Sequence, residues 1–132
     1  MPDFVARMDS SGTYRPIVEV VVRTGRVRRR LKALVDSGAD RSIIPAELLG
    51  DLVTFEELPS AGTAGGLGAV ELRSADSSLS FAGTIFATSL LVTAPGTHLR
   101  YAVLGRDDFF KRFEICFRWT HRPPTFSIEP AA

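Results

Sequence analysis

Hydrophobic and polar positions alternate along the chain in short stretches separated by turn residues, which is typical of β-strands. Residues 17–23 are rich in Val and Ile, whose branched side chains favour strands, and Val27–Val35 follows the turn Thr24-Gly25 as the second arm of a hairpin. The pattern predicts further strands at 53–58, 70–73, 79–81, 85–92, 99–104, 115–119 and 125–128. Strands at this spacing predict a closed or sandwiched all-β domain.

Helical patterns are rare in the sequence. One turn is predicted at 46–49 behind Pro45, and one short helix after Gly105, where Asp107 and Asp108 suit the first turn and Lys111 and Arg112 the last. Phe109, Phe110 and Phe113 give this helix an apolar stripe. Residues 1–14 are polar and weakly patterned, which predicts a mobile or edge segment. With no linker or repeat, residues 1–132 are expected to form a single domain.

A row of basic residues follows the second arm of the first hairpin. Arg26, Arg28, Arg30 and Lys32 share one face of the strand, with Arg29 on the other. The row can be a nucleic-acid patch or a solvated strand face. We favour the solvated face and expect no nucleic-acid partner, because the net charge is only +1 and no aromatic residues interleave.

Composition limits the classes of protein to which the chain can belong. The chain has 132 residues and is 45% hydrophobic, enough for a real core. Neither a signal peptide nor a run of about 18 apolar residues is present, so we expect no membrane span and a cytoplasmic location, with a longer precursor left open. Cys116 is the only cysteine, which excludes an internal disulfide, and a zinc site is not expected with His98 and His121 alone. We expect Cys116 to pack as a small apolar side chain.

The candidate chemistry lies in Ala33-Leu34-Val35-Asp36-Ser37-Gly38-Ala39-Asp40. Asp-Ser-Gly alone is ordinary turn chemistry. Here an aliphatic run leads directly into Asp36, and Ile43-Ile44-Pro45 follows shortly after it. Burying a carboxylate without a partner is costly, so these apolar flanks favour a functional acid over a surface turn.

This segment resembles the active-site loop of retropepsin-like aspartic proteases. Three other segments fit the resemblance in the right order: Arg15-Pro16-Ile17-Val18 at the entry to the first core strand, the glycine-rich tip 62–68, which looks like the flap, and Ala102-Val103-Leu104-Gly105-Arg106-Asp107 before the helix. The resemblance implies an all-β, retropepsin-like closed barrel or sandwich with a flap hairpin and one short helix near the C-terminus. The longer tail resembles bacterial relatives more than retroviral ones, and leaves open whether terminal strands form the dimer sheet.

The resemblance also assigns roles to residues. Asp36, Ser37 and Gly38 would be catalytic, with Ser37 bonding across the two loops of a dimer. Substrate would contact Ala39, Asp40 and the flap residues Ala64, Gly65, Gly66, Leu67 and Gly68. Asp40 and Arg106 would form an ion pair within the subunit, joined by Arg15 of the partner chain. The family needs no metal and no organic cofactor.

Only one loop of this kind is present. Asp9-Ser10-Ser11-Gly12 has an extra residue, and Asp76-Ser77-Ser78 lacks the glycine. An aspartic peptidase needs two carboxylates sharing a proton, so we expect a homodimer in which two copies of Asp36 hydrolyse peptide bonds in a peptide or protein substrate. The alternative is a non-catalytic dimerisation or peptide-binding module on the same fold. A serine hydrolase or a phosphate-binding loop is disfavoured, because neither Gly-x-Ser-x-Gly nor Gly-Lys-Ser/Thr occurs.

Overall fold

Six strands close into a barrel in the computed structural model of the chain, which describes residues 3–51, 53–64, 70–96 and 99–131. In chain order the elements are β1 (Asp3–Val5), β2 (Arg7–Met8), β3 (Tyr14–Arg15), β4 (Ile17–Thr24), β5 (Val27–Val35), β6 (Ile43–Pro45), two 3₁₀ turns (Ala46–Leu48 and Phe55–Glu57), β7 (Ser60–Ala64), β8 (Val70–Phe81), β9 (Thr84–Thr93), β10 (Ala102–Leu104), α1 (Phe109–Arg112), β11 (Phe113–Arg118) and β12 (Thr125–Pro130). Neighbouring strands of the barrel run in the order β4-β5-β10-β6-β9-β8, and pairing of β4 with β8 closes the ring. The sequence prediction of an all-β closed barrel with a short helix near the C-terminus is confirmed.

Alternation along β4 explains the core. Val18, Val20 and Val22 point inwards and are at most 3% exposed, whereas Glu19 and Arg23 on the other face are exposed. Strands of period two put every second side chain on the same face, so one face of β4 is apolar and the other carries charge. The inward face packs with the other barrel strands around Leu31, Leu79 and Phe86.

The two ends of the chain meet in a second, three-stranded sheet with the order β1-β12-β11. Phe4 of β1 stacks on the buried Phe126 of β12, with 5.4 Å between ring centroids. The N–H of Ala6 donates to the carbonyl of Pro124 at 2.9 Å. β1 is therefore an edge strand held to the C-terminal hairpin by backbone and aromatic contacts.

One strand prediction is wrong, and the break predicted between two other strands is absent. Residues 53–58 contain a 3₁₀ turn instead of a strand, because Phe55 turns into the core at 6% exposure while Glu56 and Glu57 face solvent. The segments 70–73 and 79–81 belong to one continuous strand, β8. Ser77 and Ser78 pair with β4 on one side and β9 on the other, so hydrogen bonding from two neighbours overrides the turn tendency of the serines.

The C-terminal region also differs in detail. α1 covers only Phe109–Arg112, with Asp108 as its N-cap, and Phe113 already belongs to β11. β10 is restricted to Ala102–Leu104. Cys116 is exposed, so the prediction that it packs as a small apolar residue is wrong: it follows Ile115 on β11 and points to the opposite face of the strand.

Candidate active site

Asp36 lies directly after β5, where the barrel strand opens into a tight loop. Parallel pairing of β5 with β10 sets Val35 beside Leu104, and the N–H of Asp36 donates to the Leu104 carbonyl at 3.1 Å. Its carboxylate is half-buried, and Oδ1 accepts a hydrogen bond of 2.8 Å from the N–H of Gly38. The barrel therefore fixes the backbone of this acid, and the loop itself holds its carboxylate.

The rest of the loop is bonded to the segment before α1. The N–H of Arg106 donates to the Ala39 carbonyl at 2.9 Å, and the N–H of Asp107 donates to the Asp40 carbonyl at 2.7 Å. The side chain of Arg106 also forms an ion pair with Asp40. Both side chains are more than half exposed, at 55% and 77%, so their pairing adds little stability to the single subunit.

Arg15 lies in β3 and pairs within its own chain. Its Nε donates to Oδ2 of Asp9 at 2.9 Å. Hydrogen bonds from the Ser11 hydroxyl, from Arg15 and from the backbone of Thr13 and Ser11 lower the pKa of Asp9 far below its ordinary value. Asp9 is therefore the centre of a polar turn, and the role of Arg15 across a subunit boundary stays a prediction.

Sequence reasoning missed a polar cluster beneath the loop. Ser42 is 1% exposed, and its hydroxyl donates to Oδ1 of Asp108 at 2.6 Å while accepting the N–H of Gly105 at 3.0 Å. Oδ2 of Asp108 accepts the Thr88 hydroxyl at 3.0 Å, and Oδ1 also caps α1 through the N–H of Phe109 at 2.8 Å. Asp108 thus ties the loop, β9 and the helix together. The sequence predicted Asp108 only as a residue of the first helical turn, and it gives no local signal for partners 20 and 66 residues away.

Two glycines permit close approaches in this region. A Cβ on Gly105 would overlap the backbone of Arg41, with 2.7 Å to its carbonyl oxygen. A Cβ on Gly38 would lie 3.2 Å from Oδ1 of Asp36, tighter than an ordinary contact. Gly105 is therefore needed for packing the loop, and Gly38 for the position of the Asp36 carboxylate.

The other predicted site residues fall into two groups. Ser37 is exposed, and its hydroxyl has no partner among the described residues; its bond across a dimer stays a prediction. The arms of the flap hairpin are β7 and β8, which pair from Ser60 to Ala64. Gly65, Gly66, Leu67 and Gly68 lie outside the described residues.

A cavity of about 250 Å³ lies beside the candidate site. Leu34 and Val103, which pair side by side in β5 and β10 just before the loop segments, form part of its wall. Its lining combines apolar and charged side chains: Asp9, Arg15, Leu34, Leu99, Arg100, Tyr101 and Val103.

The described residues contain no group of three or more His, Cys, Asp or Glu side chains that could hold a metal ion. In the same part of the chain, no helix is long and apolar enough to cross a bilayer.

A six-stranded barrel that positions an Asp-Ser-Gly loop and packs a hydrophobic-Gly-Arg segment beneath it defines the retropepsin-like class of fold and site. The family model for the retroviral aspartyl protease matches residues 12–115, and the chain belongs to this family. A search of the curated proteins found no significant match.

Solved structures agree with the family assignment. The chain is similar to EIAV protease complexed with the inhibitor HBY-793, with a TM-score of 0.57 and 26% identity, over 74% of this chain and 86% of the viral one. It is also similar to a retropepsin-like aspartic protease from Rickettsia conorii, with a TM-score of 0.58 and 18% identity, over 98% of this chain and 92% of that chain. The second likeness extends the shared fold to almost the whole chain, C-terminal hairpin included.

Proposed function

We propose that the chain is an aspartic endopeptidase whose site is completed by two copies of Asp36 in a homodimer. The observation that supports this most directly is the half-buried Asp36 carboxylate, held by the N–H of Gly38 at the end of a barrel strand. The sequence offers one such loop per chain, so a second copy must supply the other acid.

In such a pair the two carboxylates share one proton, because like charges a few Å apart do not both ionise. The ionised carboxylate takes a proton from the attacking water, and the protonated one donates its proton to the scissile carbonyl oxygen as that carbon becomes tetrahedral. The fixed orientation of Asp36 by Gly38 serves this step, since proton transfer requires hydrogen-bond geometry.

Binding of an extended peptide fits the surroundings of Asp36. The cavity next to Leu34 and Val103 would receive one substrate side chain, while the flap hairpin of β7 and β8 would cover the substrate backbone. Ser37, Ala39 and Asp40 belong to the same loop as Asp36, and their contacts with substrate and with a second subunit are part of this proposal.

The test compares the wild type with Asp36→Asn and, as a matched control, Asp51→Asn, which changes an exposed acid outside the site. Each protein is incubated with a diverse peptide pool between about pH 3 and 8, and cuts are mapped by mass spectrometry. Cuts by the wild type and the control that vanish in Asp36→Asn and with a statine-type inhibitor support the proposal. Cleavage that persists in Asp36→Asn contradicts it.

The second candidate is a peptide-binding or dimerisation module without catalysis. The exposed Ser37 hydroxyl, which has no partner in the part of the chain that the structure describes, and the open cavity are compatible with that role too. Peptide binding by a wild type that makes no cuts at any pH would favour it.

A further inference from the structure

The outer face of the β4–β5 hairpin carries a row of cations. Arg28, Arg30 and Lys32 alternate on the outward side of β5, and the register of the hairpin sets Arg23 of β4 directly opposite Arg28. Arg26 lies in the turn between the strands, and all five side chains are exposed. These five residues are here called the basic row. Arg23 could not be assigned to it from sequence, because its place depends on the cross-strand register.

The charge of the basic row is not balanced locally. None of its five side chains forms an ion pair with the described residues, and Glu19, which stands opposite Lys32, does not reach it. Residues 19–32 hold six basic side chains and one acidic one, a net charge of +5, whereas the whole chain carries +1, so the remainder carries −4. Charge of one sign is therefore concentrated on this hairpin.

The pair Arg23 and Arg28 is the most informative part of the row. Like charges directly opposite each other weaken an antiparallel strand pair. Asp76 of β8 lies on the same face, two residues from Ser78, which pairs with Arg23, but no acidic side chain forms an ion pair with either arginine among the described residues. An anionic partner that binds across both guanidinium groups would relieve it.

We propose that the basic row binds an extended acidic polypeptide segment and so docks substrates that carry such a segment outside the bond to be cleaved. Alternate side chains of an extended peptide repeat every ~6.6 Å, which is also the spacing of Arg28, Arg30 and Lys32 along β5. The row is only one strand wide apart from Arg23, which suits a linear partner better than a membrane plane. Its neighbours on the outer face include Glu19, Val21, Asp76, Ser78 and Ser80, and none of these has a ring on which a base could stack.

The strand itself connects the row to the candidate site. Lys32 precedes Asp36 by four residues, or about 13 Å of strand, and Arg28 by eight residues, or about 26 Å. An acidic segment on the row would therefore be separated from the scissile bond by roughly four to eight extended residues. The docking role rests on the proposed peptidase function, but the binding itself does not.

Binding is tested first in Asp36→Asn, so that cleavage does not interfere. Fluorescence anisotropy compares an alternating Glu-Ser octapeptide with its Gln-Ser counterpart at low ionic strength. We expect the Glu-Ser peptide to bind about tenfold more tightly, and the preference to disappear near 1 M salt, where charges are screened over ~3 Å. Arg30→Glu, added to this protein, should remove the preference, whereas the matched control Arg122→Glu, on an exposed arginine outside the row, should keep it.

Cleavage is tested next in proteins with Asp36 intact. Two substrates share one cleavable core and differ only in a Glu-Ser or Gln-Ser tail. The acidic tail should lower KM at unchanged kcat, and Arg30→Glu should abolish this difference without altering cleavage of the Gln-Ser substrate. Binding of the acidic peptide without any cleavage would support the binding site but contradict the peptidase, and with it the docking of substrates for cleavage.

Three results would overturn the proposal: equal affinity for the two peptides, a preference that survives Arg30→Glu, or tighter binding of a single-stranded oligonucleotide or of phosphatidylserine vesicles than of the acidic peptide. The last result would assign the basic row to a different class of partner.

Discussion

The hydroxyl of Ser42 donates a 2.6 Å hydrogen bond to Oδ1 of Asp108, across 66 residues of sequence. Through this bond the loop that begins at Asp36 is fastened to the N-terminus of α1. The same carboxylate accepts the Thr88 hydroxyl, so β9 is fastened at the same point. The position of the Asp36 loop therefore depends on Asp108, an acid that lies outside the loop.

Asp108→Ala is expected to lower the free energy of unfolding by about 2–4 kcal/mol, because it leaves the Ser42 and Thr88 hydroxyls and the N–H of Phe109 without an acceptor. Urea denaturation measures the change. Asp107→Ala is the matched control: Asp107 is adjacent and exposed, and its removal should shift stability by less than about 0.5 kcal/mol. Equal effects of the two variants would contradict the role of Asp108.

Gly105→Ala is expected to destabilise the protein by about 1–3 kcal/mol, since the new Cβ meets the Arg41 backbone rather than a movable side-chain end. Thermal or urea unfolding reports the loss. Gly38→Ala offers a contrast, because its Cβ would meet only the end of the Asp36 side chain. That variant should unfold almost normally but lose peptidase activity; the reverse order of the two effects would refute the assignment.

Asp9 predicts a dependence of stability on acid pH. Its pKa is lowered in the folded chain, chiefly by the Ser11 hydroxyl, so its carboxylate stabilises the fold above the unfolded-state pKa of about 3.9 and this contribution is lost as pH falls below that value. Asp9→Asn should therefore melt at a lower temperature than the wild type at pH 6, and the gap should narrow on acidification. Scanning calorimetry at several pH values checks this, with Asp51→Asn as the control.

Arg106→Gln tests how much the exposed ion pair with Asp40 matters. Both side chains are well solvated, so removing the pair should cost less than about 1 kcal/mol of stability. If the pair positions substrate or a second subunit, peptidase activity should fall by more than the small loss of folding stability accounts for. Chemical denaturation and peptide cleavage are measured on the same preparation, and a loss of stability well above this bound would show that the pair acts mainly within the subunit.

The parts of the fold with a local sequence signal were predictable. The Val and Ile content of residues 17–23 predicted β4, and the aliphatic run that leads directly into Asp36 predicted the loop. The ion pair between Asp40 and Arg106 was also anticipated, from the resemblance to a known family, and it is present in the structure.

The structural features that the sequence did not predict depend on contacts between residues far apart in the chain. Ser77 looked like a turn residue but lies in β8, where its hydroxyl is 2.8 Å from that of Thr24. Residues 53–58 were predicted to form a strand, but the side chain of Phe55 is buried in the core and the segment contains a 3₁₀ turn. The Ser42–Asp108 bond and the placement of Arg23 beside Arg28 likewise follow from pairing between elements, which a single sequence does not display.

The three-stranded sheet at the chain ends bears on how the proposed activity depends on protein concentration. Because both neighbours of β12, β1 and β11, belong to the same polypeptide, this sheet forms without a second copy of the chain. Under the proposed two-chain mechanism, a subunit folds first and assembles afterwards. At low concentration it would therefore remain a folded but inactive monomer. Peptidase activity would then rise more steeply than in proportion to concentration, so that the abundance of the protein itself acts as the switch.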